Sequence, residues 1–182
     1  MKIIETKLDG VVIIEPRVFG DERGFFLESW NAASFSKAGF ELTFVQDNHS
    51  MSQKGVLRGL HFQNPYPQGK LARVVRGAVF DVAVDVRRSS QTFGQWIGVE
   101  LSAANNRMLY VPEGFAHGFL TLEDDTNFLY KCTAPYAPDA EITIAWDDPA
   151  IGVEWPLEGV TPILSQRDRT TGCSLANAPV FA

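Results

Sequence analysis

Short apolar stretches separated by Gly, Pro, Asn and Asp run along most of the chain. The clearest spans residues 78–86, where every second residue from Phe80 to Val86 is apolar and Asp81 and Asp85 fall between them. A period of two is typical of a β-strand that buries one face and leaves the other in solvent. We therefore expect the two aspartates to lie on the face opposite the valines, away from the core.

Similar stretches recur throughout the sequence. They are VVIIEP, GFFLESW, LTFVQDNHSMS, GVLRGLHF, KLARVVRG, QWIGVEL, RMLYVP, HGFLTL, TNFLYKCT and ITIAW. Roughly ten strands at short spacing predict an all-β, double-sheet jelly-roll barrel rather than an alternating βα fold. A few short helices are expected, one over NAASFSKAGF with Asn31 as its N-cap and Gly39 at its end, and another at SQRD. The prediction is one domain over residues 1–182.

Composition narrows the possible partners. The chain has 182 residues, a net charge of −6 and no run of lysine or arginine, so nucleic acid is not an expected partner. No apolar run approaches the ~20 residues of a membrane span, and no signal peptide is evident. Cys132 and Cys173 form no CxxC motif. We expect a cytoplasmic protein without a disulfide framework, a thiolate zinc site or a membrane partner.

The stretch VLRGLHFQ, residues 56–63, places Arg58 and His61 in an otherwise apolar strand. A buried guanidinium needs an anion, which can be an internal carboxylate or the phosphate of a ligand. Strict alternation puts Arg58 and His61 on opposite faces of the strand. Both can serve one pocket only if the strand bulges or twists near Gly59.

Three histidines are present, and they do not favour a metal site. His61 stands alone in LHF, where a metal-binding barrel of this class needs a His-x-His pair. A three-histidine site would have to recruit His49 from QDNHS in addition to His117.

Other polar residues have equally plain structural interpretations. His117 in PEGFAHGF and Tyr130 in FLYKC are compatible with core packing. Asp168 in SQRDR fits a capping box in which it reaches back to the backbone of Ser165. From the residues alone, these alternatives stay open.

Read together, several motifs resemble the dTDP-4-dehydrorhamnose 3,5-epimerase family. They are FGDERGFFLESW, FVQDNHS, GVLRGLHFQ, GKLARVVRGAVFDVAVDVR, FGQW, VPEGFAHGF, FLYKCT and DPAIGVEWP, in the family's order and spacing. The resemblance implies a cupin-like jelly roll that works as a homodimer without metal or organic cofactor. It also implies a dTDP-4-keto-6-deoxy sugar nucleotide as the substrate, inverted at carbons 3 and 5.

Both carbons flank the keto group, so the chemistry needs a base, an acid on the opposite face and a positive group at the keto oxygen. The resemblance implies that His61 is the base, since an imidazole titrates near neutral pH, and that Asp168 orients it. It implies that Lys70 stabilises the enolate oxygen and that Tyr130 is the acid.

The resemblance also implies a set of substrate contacts. His117 is expected near the sugar and Arg58 at the diphosphate. The remaining contacts are Arg23, Phe26 and Glu28 across the dimer interface, Gln46, Asp47 and Asn48 in the QDN stretch, Glu141 and Arg167 at the periphery, and Tyr136 as a stacking residue beside Pro135, where many members carry an aromatic.

Three other functions remain to be distinguished. A single-carbon epimerase of another deoxysugar pathway would keep the same base and acid, so product analysis must decide. A metal-dependent cupin oxygenase would contain stoichiometric metal. A sugar-binding module would not turn over, although it would have no need of a base and an acid on opposite faces.

Overall fold

Antiparallel strands are the main regular secondary structure of the computed structural model, which describes residues 1–159 and 161–182. The strands are β1 (Lys2–Glu5), β2 (Val12–Glu15), β3 (Val18–Asp21), β4 (Gly24–Leu27), β5 (Gln46–Ser52), β6 (Leu57–Gln63), β7 (Lys70–Arg76), β8 (Ala78–Asp85), β9 (Trp96–Ser102), β10 (Met108–Val111), β11 (Phe115–Thr121), β12 (Thr126–Cys132) and β13 (Glu141–Thr143). The helices are α1 (Ala32–Lys37), α2 (Gln166–Thr170) and a 3₁₀ turn at Pro138–Ala140.

Two sheets face each other across the main core. One has the strand order β1-β2-β10-β7-β12-β5, the other has the order β13-β6-β11-β8-β9, and β3 and β4 form a separate hairpin. Inward side chains of both sheets, including Val74, Ala83, Phe119 and Phe128, share one apolar cluster. The predicted all-β double-sheet jelly roll is confirmed.

The prediction that β8 is half-buried is wrong, because both of its faces are covered. Val82 and Val84 pack in an outer apolar cluster with residues of the C-terminal segment, while Asp81 and Asp85 are fully buried on the other face. Asp81 contacts a histidine within the barrel, and Asp85 accepts hydrogen bonds from Arg87 and two hydroxyl groups. The polar positions of the alternation are therefore aspartates with buried hydrogen-bond partners, and the face that they share is not exposed to solvent.

A bulge at Gly59 brings Arg58 and His61 to the same cavity, as the sequence required. On β11 the partner of His61 is His117 and the partner of Arg58 is Phe119, so Gly59 and Leu60 of β6 oppose the single residue Gly118 of β11. Gly59 has φ +129, and a Cβ atom there would lie 2.5 Å from the Cα of Gly118. Only glycine permits this close approach of the two strands.

Both predicted helices form, and α1 has the expected caps. The side chain of Asn31 accepts hydrogen bonds from the backbone N–H groups of Ala33 and Ser34, and Gly39 adopts φ +91 just beyond α1. Helix α1 buries Phe35 in an apolar cluster on the outer face of the six-stranded sheet. No helix in the described part of the chain is long and apolar enough to span a bilayer.

Backbone pairing places α2 beside β6. Ile163 accepts a hydrogen bond from the Leu57 N–H and donates one to the Gly55 carbonyl, which fixes the segment just before α2 against the start of β6. The first turn of α2 is therefore held near the middle of β6, where His61 lies.

Candidate active site

A cavity of about 340 Å³ lies between the two sheets and gathers most of the polar residues singled out from the sequence. It is lined by Asn48, His49, Ser50, Arg58, His61, Phe62, Gln63, Gln68, Lys70, His117, Gly118, Phe119, Tyr130, Tyr136, Glu141, Ser165 and Asp168. Both sheets and α2 contribute to this lining, so the site depends on contacts that are distant in sequence.

His61 and Asp168 form a hydrogen-bonded pair at one wall of the cavity. His61 Nε2 lies 2.6 Å from Asp168 Oδ1, and the side chain of Asp168 is 3% exposed against 26% for His61. Since an ionised carboxylate only accepts hydrogen bonds, Nε2 carries the proton of the neutral ring and Nδ1 carries the lone pair. Nδ1 lies 3.9 Å from Glu141 Oε1.

Asp168 is held as an anion although it is buried. Burial raises the pKa of this carboxyl, but hydrogen bonds from His61 and Ser165 outweigh burial and leave the pKa below its usual range. The Ser165 hydroxyl lies 2.7 Å from Asp168 Oδ2 and also accepts the Asp168 N–H as the N-cap of α2. The predicted capping box is thus half correct, because the Asp168 carboxylate reaches the Ser165 hydroxyl and His61 rather than the Ser165 backbone.

A second histidine–aspartate pair lies directly beside the first. His117 is the cross-strand neighbour of His61, and its Nε2 is 2.7 Å from Asp81 Oδ1. Both partners are almost fully buried, with side-chain exposures of 7% and 0%. Among the described residues, Asp81 Oδ2 has no hydrogen-bond partner.

Tyr130 and Lys70 enter the cavity from the opposite wall, on β12 and β7 of the six-stranded sheet. Burial, with smaller effects of Cys132 and Glu141, raises the pKa of Tyr130 to about 12, which keeps the phenol protonated at neutral pH. Burial also lowers the pKa of the Lys70 ammonium, and nearby Cys132, Glu141 and Asp81 oppose part of that effect.

The sequence-based expectation that Arg58 is buried is wrong. Its side chain is exposed at the cavity, and its guanidinium donates a hydrogen bond of 3.1 Å to the Ser52 hydroxyl. Within the described residues it makes no ion pair of 4.0 Å or less. The guanidinium is therefore available to an anionic group of a ligand.

Five of the predicted substrate contacts form a network at the mouth of the cavity. The Tyr136 hydroxyl donates to Glu141 Oε2 at 2.6 Å, and Arg167 forms an ion pair with the same carboxylate. The Gln46 side chain accepts the Tyr136 N–H at 2.8 Å and also donates to the side chain of Asn48. Residues predicted separately thus form one connected rim.

A family model described as dTDP-4-dehydrorhamnose 3,5-epimerase matches residues 5–175. The protein of that name from Methanothermobacter thermautotrophicus is 57% identical over 169 residues, which cover 92% of this chain and 91% of the relative. The chain belongs to the dTDP-4-dehydrorhamnose 3,5-epimerase family. The family resemblance inferred from the sequence motifs is confirmed.

Solved structures of epimerases have the same fold. A dTDP-6-deoxy-D-glucose-3,5-epimerase from Legionella pneumophila, in complex with dTDP-4-keto-L-rhamnose, is 50% identical with a TM-score of 0.93, covering 97% of this chain and 93% of that one. ChmJ, a 3'-monoepimerase from Streptomyces bikiniensis in complex with dTDP-quinovose, is 38% identical with a TM-score of 0.88 over 95% and 87% of the two chains.

Some residues that the epimerase family resemblance implies as substrate contacts lie outside the cavity of this chain. Arg23 and Phe26 lie in the exposed β3–β4 hairpin, and Glu28 accepts hydrogen bonds from Ser34 and Asn31 beside α1. Asp47 alternates with Asn48 on β5, so it faces away from the cavity and pairs with Lys131. Contact of these residues with a substrate remains a prediction.

Sequence reasoning missed four polar residues of the epimerase site. Asp81 accepts the hydrogen bond of His117, and the Ser165 hydroxyl donates to Asp168. The side-chain amides of Gln63 and Gln68 donate to loop carbonyl groups at the cavity wall. The signal available for Asp81 was its spacing: it lies two residues from Val79 and from Ala83, which face the barrel interior. In the described ranges, no three His, Cys, Asp or Glu side chains converge as a possible metal-ligand set.

Proposed function

We propose that the cavity inverts carbons 3 and 5 of dTDP-4-dehydro-6-deoxy-D-glucose to give dTDP-4-dehydro-L-rhamnose. The observation that carries this proposal is the placement of His61 on one sheet and Tyr130 on the facing sheet, with both side chains lining one cavity. Inversion at a carbon next to a ketone needs a proton removed from one face and returned to the other. A base and an acid on opposing walls meet that requirement.

In the first half-reaction His61 removes the proton from the carbon next to the keto group. The lone pair on Nδ1 is available because Asp168 holds Nε2–H, and the anionic carboxylate stabilises the imidazolium that forms. Negative charge then develops on the keto oxygen. The Lys70 ammonium, buried at the cavity and without an ion-pair partner among the described residues, is placed to stabilise that enolate.

In the second half-reaction Tyr130 gives its proton to the opposite face of the enolate. With a pKa of about 12, the phenol is fully protonated before the reaction. Each inversion leaves one proton on His61 and removes one from Tyr130. Exchange with solvent must therefore restore both groups before the second carbon is inverted.

The nucleotide end is assigned to the exposed guanidinium of Arg58, which binds the diphosphate, and to the rim formed by Tyr136, Glu141 and Arg167. We also propose that the enzyme is a homodimer in which Arg23, Phe26 and Glu28 reach the nucleotide of the partner subunit. The exposure of Phe25 and Phe26, 63% and 70%, supports an interface at this hairpin. A cytoplasmic location and independence of metals and organic cofactors remain predictions.

Product analysis tests the function. The purified protein is incubated with dTDP-4-dehydro-6-deoxy-D-glucose and a chelator, and the sugar is characterised by NMR. Inversion of both carbons is the expected result. Inversion of one carbon would instead support the single-carbon epimerase, the activity named for the structurally similar ChmJ. Binding without any change of the sugar would contradict the enzyme assignment.

A further inference from the structure

Both oxygens of the Asp168 carboxylate are engaged, and by different partners. Oδ1 accepts the hydrogen bond from His61 Nε2 at 2.6 Å, and Oδ2 accepts one from the Ser165 hydroxyl at 2.7 Å. The carboxylate is 3% exposed, so bulk water does not replace either partner readily. The direction of the Asp168 carboxylate is thus set by two short hydrogen bonds to a charged acceptor.

The direction of the Ser165 hydroxyl is itself fixed by α2. Its oxygen accepts the Asp168 N–H at 3.1 Å, which is the N-cap contact of the helix. A hydroxyl that accepts one hydrogen bond still has its single proton to donate, and here the donated proton points to Asp168 Oδ2. The same side chain therefore caps the helix and orients the carboxylate.

We propose that Ser165 is a positioning residue that aligns His61 for proton abstraction through Asp168. This inference rests on the proposed role of His61 as the base. If the hydroxyl is lost, Asp168 Oδ2 is left buried with one partner fewer, and the carboxylate is free to rotate away from Nε2–H. The His61 ring then loses both its fixed tautomer and its fixed orientation.

The donor role of Ser165 can be separated from its capping role by substitution. Threonine caps well and retains a hydroxyl donor. Glycine at an N-cap costs a helix only a few tenths of a kcal/mol relative to serine, yet it donates nothing. Alanine loses both functions. Ser165→Thr, Ser165→Gly and Ser165→Ala therefore form a series in which helix stability and donation change independently.

The kinetic test compares kcat and KM across this series. We expect Ser165→Thr to retain activity close to that of the parent protein. We expect Ser165→Gly to lower kcat about tenfold, the order of losing one hydrogen bond to a charged group, while KM and the melting temperature change little. Ser165→Ala should lose as much kcat and also melt earlier. If kcat instead follows the melting temperature through the series, Ser165 is only a cap and the proposal is wrong.

NMR of the imidazole N–H groups gives a readout that does not depend on catalysis. The chain has three histidines, so His61 is assigned by comparison with His49→Asn and His117→Asn. We expect the strongly deshielded His61 Nε2–H signal to persist in Ser165→Thr and to shift or exchange faster in Ser165→Gly. The signal of the His117–Asp81 pair should not move, which provides an internal control.

The two readouts separate this inference from the proposed function. An unchanged His61 signal in Ser165→Gly would overturn the positioning role. A changed His61 signal with an unchanged kcat would support the orientation of the His61 ring by Ser165, but it would contradict the role of His61 as the base. A changed signal together with a tenfold loss of kcat supports both.

Discussion

Two histidine–aspartate pairs stand side by side in one cavity, and they differ in what surrounds the carboxylate. His61 and Asp168 join a strand to the first turn of a helix, and the second oxygen of Asp168 accepts the hydroxyl proton of Ser165. His117 and Asp81 join two neighbouring strands of the same sheet, and the second oxygen of Asp81 has no partner in the described part of the chain.

This difference in hydrogen bonding favours the first pair, His61 and Asp168, for proton transfer. A base must change charge during turnover, so its carboxylate partner needs to be a stable, fixed anion. Hydrogen bonds to Asp168 lower the pKa of that carboxyl despite burial. His117 is more deeply buried than His61, 7% against 26% in side-chain exposure, which suits a fixed contact to the sugar better than exchange of protons with solvent.

Replacing each histidine by asparagine gives the largest expected contrast. His61→Asn should lower kcat by about 10³-fold, within the range expected for loss of a general base. His117→Asn should mainly raise KM, because it removes a substrate contact and no proton acceptor. Steady-state kinetics with the dTDP-sugar substrate measure both. Equal losses of kcat in the two variants would remove the distinction between the pairs.

Replacing each aspartate compares the same two pairs through the residue that contacts the histidine, not through the histidine itself. Asp168→Asn should lower kcat by at least about 100-fold, because a neutral amide does not stabilise the imidazolium and its NH₂ group can donate to Nε2, which favours the wrong tautomer. Asp81→Asn should cost less than about tenfold, since the amide oxygen can still accept the His117 N–H. Equilibrium binding of dTDP should survive in both. A larger loss of kcat from Asp81→Asn than from Asp168→Asn would contradict the account.

The family resemblance predicted both members of the first pair, His61 and Asp168, but not the serine that holds the carboxylate. The apolar frame of VLRGLHFQ and the glycine at position 59 predicted a bulge that turns Arg58 and His61 to one cavity, and the bulge is observed. The role of Ser165 was not predicted, because the same motif describes a capping box in any helix. Backbone pairing of Ile163 with Leu57, distant in sequence, brings that cap to His61, and no local motif shows this contact.

In the second pair His117 was predicted as a contact to the sugar, but its partner Asp81 was missed for a different physical reason. Alternation around Asp81 predicted one buried face, but the C-terminal segment covers the outer face of β8, and the ring of Phe181 packs against that of Phe62 on β6, two strands away in the same sheet. Both faces of the strand are therefore buried. A pattern within one strand cannot show which distant segment will cover it, so the polar positions were assigned to solvent.

A smaller effect is expected on the free energy of unfolding at acid pH. The folded-state pKa of Asp168 lies below its usual value of 3.8, so its hydrogen bonds stabilise the fold above that pH, and this stability is lost as the pH falls and the carboxylate protonates. Asp168→Asn should therefore flatten the fall in the free energy of unfolding below about pH 4. Urea unfolding at a series of pH values measures the slope. Parallel curves for the two proteins would contradict the depressed pKa.

Deuterium exchange in the Tyr130→Phe variant tests the central claim, that base and acid act from facing walls, most directly. The variant is incubated with dTDP-4-dehydro-6-deoxy-D-glucose in heavy water, and NMR follows deuterium and configuration at carbons 3 and 5. The account predicts that His61 still exchanges the protons while net inversion is slowed much more. If exchange and inversion fall equally, Tyr130 is not the acid of the opposite face, and the two-wall mechanism is wrong.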